Sequence, residues 1–379
     1  MRIALVCPYS LSVPGGVQGQ VLGSARALEA LGHEVTVLAP ADAPVEGDGD
    51  GDGRGLGTGT VVTLGRSLSV PANGSVAPVS LDPFAAGRAL RIIGDRRIEV
   101  VHLHEPLAPG AGWACLWRCR RPMVGTFHRS GASTAYRLLG PLVRRAAARL
   151  AVRCAVSPEA GETASQALGG SYEIVGNGVE EKRFAEATPW PTDGPTVLFI
   201  GRHEPRKGLG VLLEAFGRVV ESHPTATLWI VGSGPETEAL RARTAPERRV
   251  QWLGRVDDDE LAARLRGADV LCAPSLGGES FGMILIEAMA ARTAVVASDI
   301  PGYSYVARGH ARLGPPGDVA ALAENLSAAL ADAVAATATS SPAALDGAQA
   351  HAAQWSMGHL AERYGDIYAS VADVRQSGR

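Results

Sequence analysis

The feature that most constrains the fold is an alternation of short β-branched runs with Ala/Leu/Arg-rich stretches, and it occurs twice. The first copy contains RIALVCP, VLGSARALEALG, HEVTVLAP, IEVVHLH and PMVGTFH. The second copy starts after the proline-rich ATPWPTDGP and contains TVLFIGR, GVLLEAFGRVVESHP, ATLWIVGSG and ADVLCAPS. Strand and helix patterns that alternate in this way are typical of a parallel, doubly wound sheet. The sequence therefore predicts two Rossmann-like α/β domains.

The length of the chain agrees with two domains. Its 379 residues, 46% of them hydrophobic, are too many for one ordinary core. We place the first domain at 1–188, the second at 189–355, and a C-terminal helix that packs back on the first domain at 356–379. Two such domains facing across a cleft would bring the carboxyl ends of both sheets to one crevice, where ligands bind in sheets of this type.

Charge and hydropathy exclude several classes of protein. The net charge of −3 provides no global field that would recruit nucleic acid or an anionic membrane. The N-terminal MRIALVCPYS predicts a strand, and neither a signal peptide nor an anchor, and no segment reaches the roughly 18 apolar residues of a membrane span. The five cysteines lie in apolar surroundings and are odd in number, which favours reduced core thiols. We therefore expect a cytoplasmic protein.

Two strand-to-helix turns have the composition of phosphate sites. In PYSLSVPGGVQGQ, Gly15 and Gly16 would let the backbone approach a phosphate at the start of a helix, although a simple tight turn explains them equally well. In GRHEPRKGLG, the cations Arg202, Arg206 and Lys207 follow a strand and precede a helix. Cations at that position suit a diphosphate, and the alternative is a solvated surface charge.

The stretch GGESFGMILIEAMAA carries two glutamates eight positions apart. If a helix begins near Phe281, Glu279 and Glu287 are separated by about 12 Å, which exceeds the roughly 5 to 10 Å of a glycosidase pair. This separation suits a nucleotide-sugar: Glu279 would bind the sugar, Glu287 the ribose, and the backbone N–H groups of Ser280 to Gly282 the diphosphate. The alternative is an acid that favours the helix dipole, followed by a surface acid.

These motifs resemble a known family. The Glu279 to Glu287 spacing, GRHEPRKG, NGVEEKRF and the N-terminal GG turn resemble retaining glycosyltransferases of the GT-B fold, family 4 type. Within that group, CPYSLSVPGGVQ, VPANGSVA, VVHLHEPLAP and TFH are similar to actinobacterial phosphatidyl-myo-inositol mannosyltransferases. Those enzymes move mannose from GDP-mannose to phosphatidyl-myo-inositol by a retaining, metal-independent reaction in which the departing phosphate accepts the proton of the incoming hydroxyl.

The resemblance implies roles for individual residues. The catalytic residues would be His128, Arg202, Lys207 and Glu279. Donor contacts would come from Gly16, Arg202, Lys207, Val256, Glu279, Ser280, Phe281, Gly282 and Glu287. The N-terminal domain would bind the acceptor through Tyr9, Gln18, Asn73 and Arg129. The resemblance implies no cofactor and no metal.

Three departures from the family pattern leave alternatives open. Pro78 stands where the family has an arginine, and HRSGAST replaces a Ser/Thr-rich run, with Arg129 as another source of positive charge. GRVDDDEL lacks the lysine expected near a guanine base. The helix FAAGRALRIIGDRR has only four arginines, so at about 1 kcal/mol each its contact with an anionic inner membrane face would be weak and peripheral. The alternatives are a UDP-sugar transferase with a soluble inositol phosphate or other small acceptor, and a catalytically silent nucleotide-sugar-binding homologue.

Two parts of the sequence contain residue types that bind metals. The segment 48–59, which begins with DGDGDG, has Gly59 where a calcium loop requires glutamate, which favours a flexible surface loop. His102 and His104 share a strand face and, with His128, form a conceivable three-histidine zinc site. Polar packing at a strand end is the preferred interpretation, because no carboxylate stands at ligand spacing and the family uses no such metal.

Overall fold

The structure is a computed structural model that describes residues 1–13, 15–43, 60–72, 75–130, 140–244, 249–339 and 343–377. The predicted loop at 48–59 and the predicted acceptor contact Asn73 lie outside the described residues. The chain divides into two compact units, here called unit 1 (Met1–Gly178 with Met357–Arg379) and unit 2 (Val179–Ser356).

The division after Gly178 comes earlier than the sequence boundary at 188, and the packing of the intervening segment gives the reason. The helix Glu181–Ala185 packs against two helices of unit 2. Further along, the backbone N–H of Trp190 donates to Ala263 O at 2.9 Å. The guanidinium of Arg264 lies 3.9 Å from the centroid of the Trp190 ring, a cation–π contact. The proline-rich segment is therefore part of unit 2.

Unit 1 contains nine strands and six helices in its described residues. The strands are β1 (Arg2–Val6), β2 (Glu34–Ala39), β3 (Thr60–Thr63), β4 (Leu68–Ala72), β5 (Ser75–Val79), β6 (Val100–His104), β7 (Met123–Phe127), β8 (Val152–Ala155) and β9 (Glu173–Ile174). The helices are α1 (Gly16–Ala30), α2 (Pro83–Asp95), α3 (Ala111–Arg118), α4 (Gly140–Ala147), α5 (Pro158–Leu168) and, at the C-terminus, α14 (Met357–Ser377).

The main sheet of unit 1 is parallel, with the order β3-β2-β1-β6-β7-β8-β9, and β4 and β5 form a separate antiparallel pair. Its central strands are buried over their whole length, as expected of strands covered on both faces. One hydrophobic cluster lies on each face. The second cluster includes Met357, Leu360, Tyr364 and Tyr368, so α14 completes the core of this unit.

Unit 2 contains six strands and eight α-helices in its described residues. The strands are β10 (Thr196–Ile200), β11 (Thr227–Val231), β12 (Val250–Gly254), β13 (Val270–Ala273), β14 (Ala294–Ser298) and β15 (Arg312–Gly314). The helices are α6 (Glu181–Ala185), α7 (Leu209–Ser222), α8 (Thr237–Arg243), α9 (Asp258–Gly267), α10 (Met283–Ala290), α11 (Pro301–Ala307), α12 (Val319–Thr339) and α13 (Ala343–Ala353), of which α6 is a little over one turn.

The sheet of unit 2 is also parallel and has the order β12-β11-β10-β13-β14-β15. This is the 3-2-1-4-5-6 order of a Rossmann fold, in which the chain changes direction across the sheet beside the first strand. Local signals agree with the fold: Asp257 caps α9 by accepting from the backbone N–H of Glu260 at 2.8 Å. The predicted class, two doubly wound parallel-sheet α/β domains of GT-B type, is confirmed.

Candidate functional site

In unit 2, the strand order reverses between β10 and β13, and the loops that follow these strands meet. The backbone N–H of Leu276 donates to Arg206 O at 2.8 Å. Gly208 has a φ of 70°, and a Cβ atom there would collide with the backbone oxygen of Pro274. Only glycine permits this close approach, which holds the two loops together at the topological switch point.

The two loops bring charged side chains into one cluster. Glu279 Oε1 lies 2.7 Å from Lys207 Nζ and 2.7 Å from Arg206 Nη1. Glu204 Oε1 and Oε2 lie 3.0 Å from Arg202 Nε and 3.2 Å from Arg206 Nε, respectively. The cluster thus joins three cations to two carboxylates and keeps a net positive charge, which an anionic ligand can share.

Three predicted residues are therefore brought together: Arg202, Lys207 and Glu279. Two members of the cluster were missing from the predicted site, namely Arg206, noted only as one of three cations, and Glu204. Only 3% of the Glu204 side chain is exposed, so this carboxylate orients the arginines from inside the protein. One sequence signal could have indicated Glu204. It stands two residues after Arg202 and two residues before Arg206, between a predicted strand and a predicted helix.

The turn before α10 is built from glycines in the left-handed region. Gly278 and Gly282 have φ values of 74° and 94°, and α10 begins at Met283. The helix starts two residues after Phe281, because Gly282 leaves the helical region and forms the cap. Glu279 consequently lies in the loop, and the helical rise does not set its distance from Glu287. Ser280 to Gly282 form the last turn of chain before the helix N-terminus.

Tight packing fixes this turn. A Cβ atom at Gly302 would collide with the backbone oxygen of Glu279, and one at Gly282 would collide with the ring of Tyr303. The Tyr303 hydroxyl lies 2.9 Å from Ser275 Oγ. Phe281 is buried, with its ring centroid 5.1 Å from that of Trp355, so Phe281 can reach a ligand only through its backbone.

The remaining predicted donor contacts lie on neighbouring elements of unit 2. Glu287 is half-buried on α10, and burial raises the pKa of its carboxyl to about 7, partly opposed by the charge of Arg183. A carboxyl in this state is suited to pairing with a hydroxyl group. Val256 is half-buried in the loop between β12 and α9.

In unit 1, the order of the strands reverses between β1 and β6, and the loop after β1 is held by side chains. Gln18 is buried, and its amide donates to Ser10 O at 3.3 Å and to Val13 O at 3.0 Å. Asp42 accepts bonds from the hydroxyls of Ser10 at 2.6 Å and Ser67 at 2.7 Å, which lower the pKa of its carboxyl. Asp42 thus ties this loop to its neighbour.

The other predicted residues of this edge remain accessible. Gly16 is the exposed first residue of α1, and a Cβ atom there would meet nothing within 4 Å. Tyr9 is half-buried and pairs with Val79 in an isolated bridge. Arg129 is half-buried beside Glu105. Pro78 lies in β5, where its carbonyl accepts from the backbone N–H of Ser10 at 2.8 Å.

Three histidines at the ends of β6 and β7, here called the histidine layer, stack in sequence: His102, His104 and His128. The ring centroids of His102 and His104 are 4.3 Å apart, and those of His104 and His128 are 5.2 Å apart. His104 Nδ1 lies 2.9 Å from His128 Nε2. His102 and His104 are almost completely buried, whereas His128 is half-buried.

The histidine layer is anchored by the C-terminal helix. His102 Nδ1 lies 2.6 Å from the Tyr368 hydroxyl, and its Nε2 lies 2.7 Å from Thr126 Oγ1. Thr126 Oγ1 lies 2.9 Å from the Tyr364 hydroxyl. Burial lowers the pKa of His102 to about 3 and that of His128 to about 4, and the pKa of His104 is lowered well below its usual value by burial and by the neighbouring histidines. All three rings are therefore neutral at pH 7.

The side chain of Glu105 binds the backbone of the histidine layer at His128. Its carboxylate accepts from the backbone N–H of His128 at 2.6 Å, and its own φ of 46° places it in the left-handed region. Burial raises the pKa of Glu105 to about 7, opposed by the backbone N–H of His128 and by the charge of Arg129. A non-glycine residue with this backbone conformation is strained, a feature that clusters at functional sites. Sequence reasoning missed Glu105 because its burial could not be predicted.

Within the ranges that the structure describes, no group of three or more His, Cys, Asp or Glu side chains is placed to hold a metal ion. No helix of the same ranges is long and apolar enough to cross a membrane. All five cysteines are buried, and none of them forms a disulfide.

Comparisons with known proteins agree with this architecture. A family model described as Glycosyltransferase Family 4 matches residues 14–183, and one described as Glycosyl transferases group 1 matches residues 194–332. A phosphatidyl-myo-inositol mannosyltransferase of Mycobacterium leprae (strain TN) is 41% identical over 339 residues, 87% of this chain and 87% of that protein. One of Propionibacterium freudenreichii subsp. shermanii is 36% identical over 312 residues, 80% of this chain and 78% of that protein.

Solved structures share the fold at lower identity. A sucrose-phosphate synthase from Thermosynechococcus elongatus has a TM-score of 0.75 and 20% identity, covering 98% of this chain and 99% of that one. The Anabaena protein Alr3699/HepE in complex with UDP and glucose has a TM-score of 0.72 and 19% identity, covering 98% of this chain and 100% of that one.

Proposed function

We propose that this chain, which belongs to glycosyltransferase family 4, transfers mannose from GDP-mannose to phosphatidyl-myo-inositol. The observation that carries the proposal is the cluster of Arg202, Arg206, Lys207 and Glu279 at the switch point of unit 2. It supplies positive charge and a carboxylate beside a glycine-lined helix N-terminus, which is the chemistry that a sugar linked to a diphosphate requires. The names of the relatives supply the sugar and the acceptor.

The donor would exchange one set of ionic contacts for another. Without a ligand, Glu279 neutralises Arg206 and Lys207 at 2.7 Å each. An incoming diphosphate offers these cations more negative charge, and Glu279 then becomes available to accept a hydrogen bond from a sugar hydroxyl. Glu204 remains bound to Arg202 and Arg206 during the exchange, because it lies beneath them and is buried.

Transition-state stabilisation would follow from the same cations. As the bond between the sugar and the diphosphate breaks, negative charge grows on the leaving phosphate, and preorganised cations and backbone N–H groups stabilise it. We propose that Arg202, Lys207 and the N-terminus of α10 perform this task without a metal cofactor. In the retaining route that we propose, the leaving phosphate oxygen accepts the proton of the incoming hydroxyl.

Unit 1 would bind the acceptor and provide a membrane contact. Tyr9, Gln18 and Arg129 lie at its switch-point edge, and Gln18 acts there by shaping the loop. On α2, Phe84 is 84% exposed, and Arg91 is exposed on the same helix. An apolar side chain with basic neighbours suits peripheral binding to an anionic lipid surface. We propose the inner face of the plasma membrane as this surface.

The test is transfer of labelled mannose from GDP-mannose to phosphatidylinositol in anionic liposomes, with EDTA present. Matched liposomes of phosphatidylglycerol, a soluble inositol phosphate and a panel of UDP-sugars run alongside. We expect labelled lipid only with GDP-mannose and phosphatidylinositol, and no increase when Mg²⁺ replaces EDTA. Product from a UDP-sugar or on the soluble inositol phosphate would contradict the proposed donor or acceptor, while the proposed transferase activity would stand. Nucleotide-sugar binding without transfer or hydrolysis of any donor would contradict the enzyme.

A further inference from the structure

We propose that His104 is a positioning residue that holds His128 in one tautomer, with the proton on Nδ1 and a bare Nε2. The structural part of this inference stands on the contacts and the burial of the histidine layer and does not depend on the proposed function. Its catalytic part rests on the proposed function, in which His128 contacts the transferred sugar.

The first step concerns the number of protons between the two rings. His104 Nδ1 and His128 Nε2 are 2.9 Å apart, a distance at which one nitrogen donates and the other accepts. Since both rings are neutral, each carries one proton. Two arrangements satisfy these conditions. Either His104 donates through Nδ1–H and His128 carries its proton on Nδ1, or His128 donates through Nε2–H and His104 carries its proton on Nε2.

The second step decides between the arrangements. His104 Nε2 is buried and has no hydrogen-bond partner. In the second arrangement, this atom would be a buried N–H donor without an acceptor, which is rare in folded proteins because its hydration is lost without replacement. In the first arrangement, the same atom is a bare ring nitrogen stacked in an aromatic layer. The first arrangement is therefore favoured, and His104 is the donor.

The third step shows that the rings cannot easily turn to escape this choice. His102 stacks on His104 with a centroid distance of 4.3 Å, and both of its nitrogens are bound, to Tyr368 and to Thr126. On the other side, the carboxylate of Glu105 accepts from the backbone N–H of His128 at 2.6 Å. The layer is thus fixed at both ends, and the tautomer of His128 follows from the position of His104.

The consequence is chemical. A His128 ring with a proton on Nδ1 presents a hydrogen-bond donor at its remaining nitrogen. It can donate to a hydroxyl or phosphate oxygen of the donor substrate, and it has no free lone pair with which to remove a proton from the acceptor. The geometry therefore assigns to His128 the role of a neutral donor and excludes that of a general base.

The experiment is ¹⁵N–¹H correlation spectroscopy of the full chain labelled with [¹⁵N]histidine, near pH 7. The His128 signals are assigned as those lost in His128→Gln. We expect a protonated Nδ1 and a bare Nε2 for His128 in the wild-type protein. A His128 ring protonated on Nε2 would overturn the inference, whatever the activity measurements show.

Two substitutions extend the test to function. His104→Asn places an amide nitrogen close to the former Nδ1, so it can still donate, and we expect it to keep the His128 tautomer and most of the turnover. His104→Leu removes the donor, and we expect partial protonation of His128 Nε2 and a kcat about 10-fold lower, with unchanged affinity for GDP, since one hydrogen bond to substrate is lost. Equal kcat and equal tautomer in the wild type, His104→Asn and His104→Leu would refute the positioning role.

The matched control is His310→Leu, which removes one ring of a stacked histidine pair in unit 2, where the centroids of His310 and His351 are 4.8 Å apart. It should leave the His128 signals unchanged. The wild-type spectrum also separates the two proposals. If the protein shows the Nδ1–H tautomer of His128 but no transferase activity, the inference about His104 and His128 stands and the proposed function is wrong.

Discussion

The two units use the same edge of the same type of sheet in opposite electrostatic ways. At the switch point of unit 1, the buried histidine layer is a stack of neutral rings, with His102 and His104 only 0% and 3% exposed. At the switch point of unit 2, they are ions, and the Arg202 side chain is 53% exposed. Topology thus determines where a ligand binds, and the burial of side chains at that edge determines which chemistry meets it.

The contrast also shows why each edge has its own supports. Buried neutral groups must have their hydrogen bonds supplied internally, and in unit 1 the C-terminal helix supplies them through Tyr364 and Tyr368. Charged groups near water do not need hydrogen bonds from within the protein, because water can supply them. In unit 2 a single buried carboxylate, Glu204, aligns two arginines. The predictions below test these two designs, in order of decreasing effect.

The largest effect is expected for Lys207→Met. The Lys207 ammonium lies in the charged cluster and is 19% exposed. Its loss removes a preorganised cation from the leaving diphosphate, so we expect kcat to fall by about 10²- to 10³-fold. Mannose transfer under saturating donor measures the effect. Arg218→Met is the control, because Arg218 also pairs with a glutamate but is 52% exposed on α7, and it should retain activity.

The next effect is expected for Glu279→Gln. The carboxylate is held between Arg206 and Lys207, so neutralising it frees two cations and would weaken the proposed contact with the sugar. We expect turnover to fall by roughly 10-fold to 100-fold. Affinity for GDP should rise a few-fold, because the carboxylate no longer competes with the diphosphate.

Transfer rates and calorimetric titration with GDP separate the two effects of Glu279→Gln. Glu214→Gln, which removes the exposed carboxylate partner of Arg218, serves as the control. Unchanged turnover together with unchanged GDP binding would remove Glu279 from the mechanism.

A smaller effect, on stability, is expected in unit 1. Tyr368→Phe leaves His102 Nδ1 buried without its partner at 2.6 Å, and an unsatisfied buried group costs about 1 to 3 kcal/mol in the free energy of unfolding. Urea unfolding followed by circular dichroism measures this loss. Tyr172→Phe is the control, because its hydroxyl donates to Gly169 O at an exposed position and at the long distance of 3.4 Å, and a change below about 0.5 kcal/mol is expected. Equal losses in both variants would contradict the anchoring role of Tyr368.

The sequence predicted the fold well because strand and helix alternation is a local pattern. The parallel sheets and the cations after β10 follow from short segments whose order along the chain determines their place. The resemblance supplied His128, which no local pattern distinguishes. By contrast, the cap at Gly282 could not be predicted from the sequence, because its left-handed conformation depends on packing against Tyr303.

Long-range pairing was beyond sequence reasoning for a physical reason. Tyr368 and His102 are 266 positions apart, and nothing in either segment indicates the partner. Glu204 resembles a surface acid before a proline, and its role depends on burial beneath two arginines. The sequence therefore predicts which groups carry charge, whereas their protonation and orientation depend on neighbours brought in by the tertiary fold.

The smallest predicted effect is a pH dependence of the free energy of unfolding that arises from the switch-point edge of unit 1. The pKa of His102 is about 3 in the folded chain against 6.5 in the unfolded chain, so only the unfolded chain gains a proton as the pH falls from 7 to 6. By linkage, each such histidine lowers the free energy of unfolding by about 0.7 kcal/mol over that interval. Glu105, with its pKa raised to about 7, acts in the opposite direction, because the folded chain gains its proton first.

A comparison of the wild type with His102→Phe isolates the histidine, since Glu105 is present in both proteins. The variant is less stable at every pH, but we expect it to lose about 0.7 kcal/mol less than the wild type between pH 7 and pH 6. Urea midpoints at the two pH values measure the difference. Parallel losses would mean that His102 takes up a proton in the folded protein, and the view of the unit 1 edge as a neutral surface would then fail, while the charged edge of unit 2 would be unaffected.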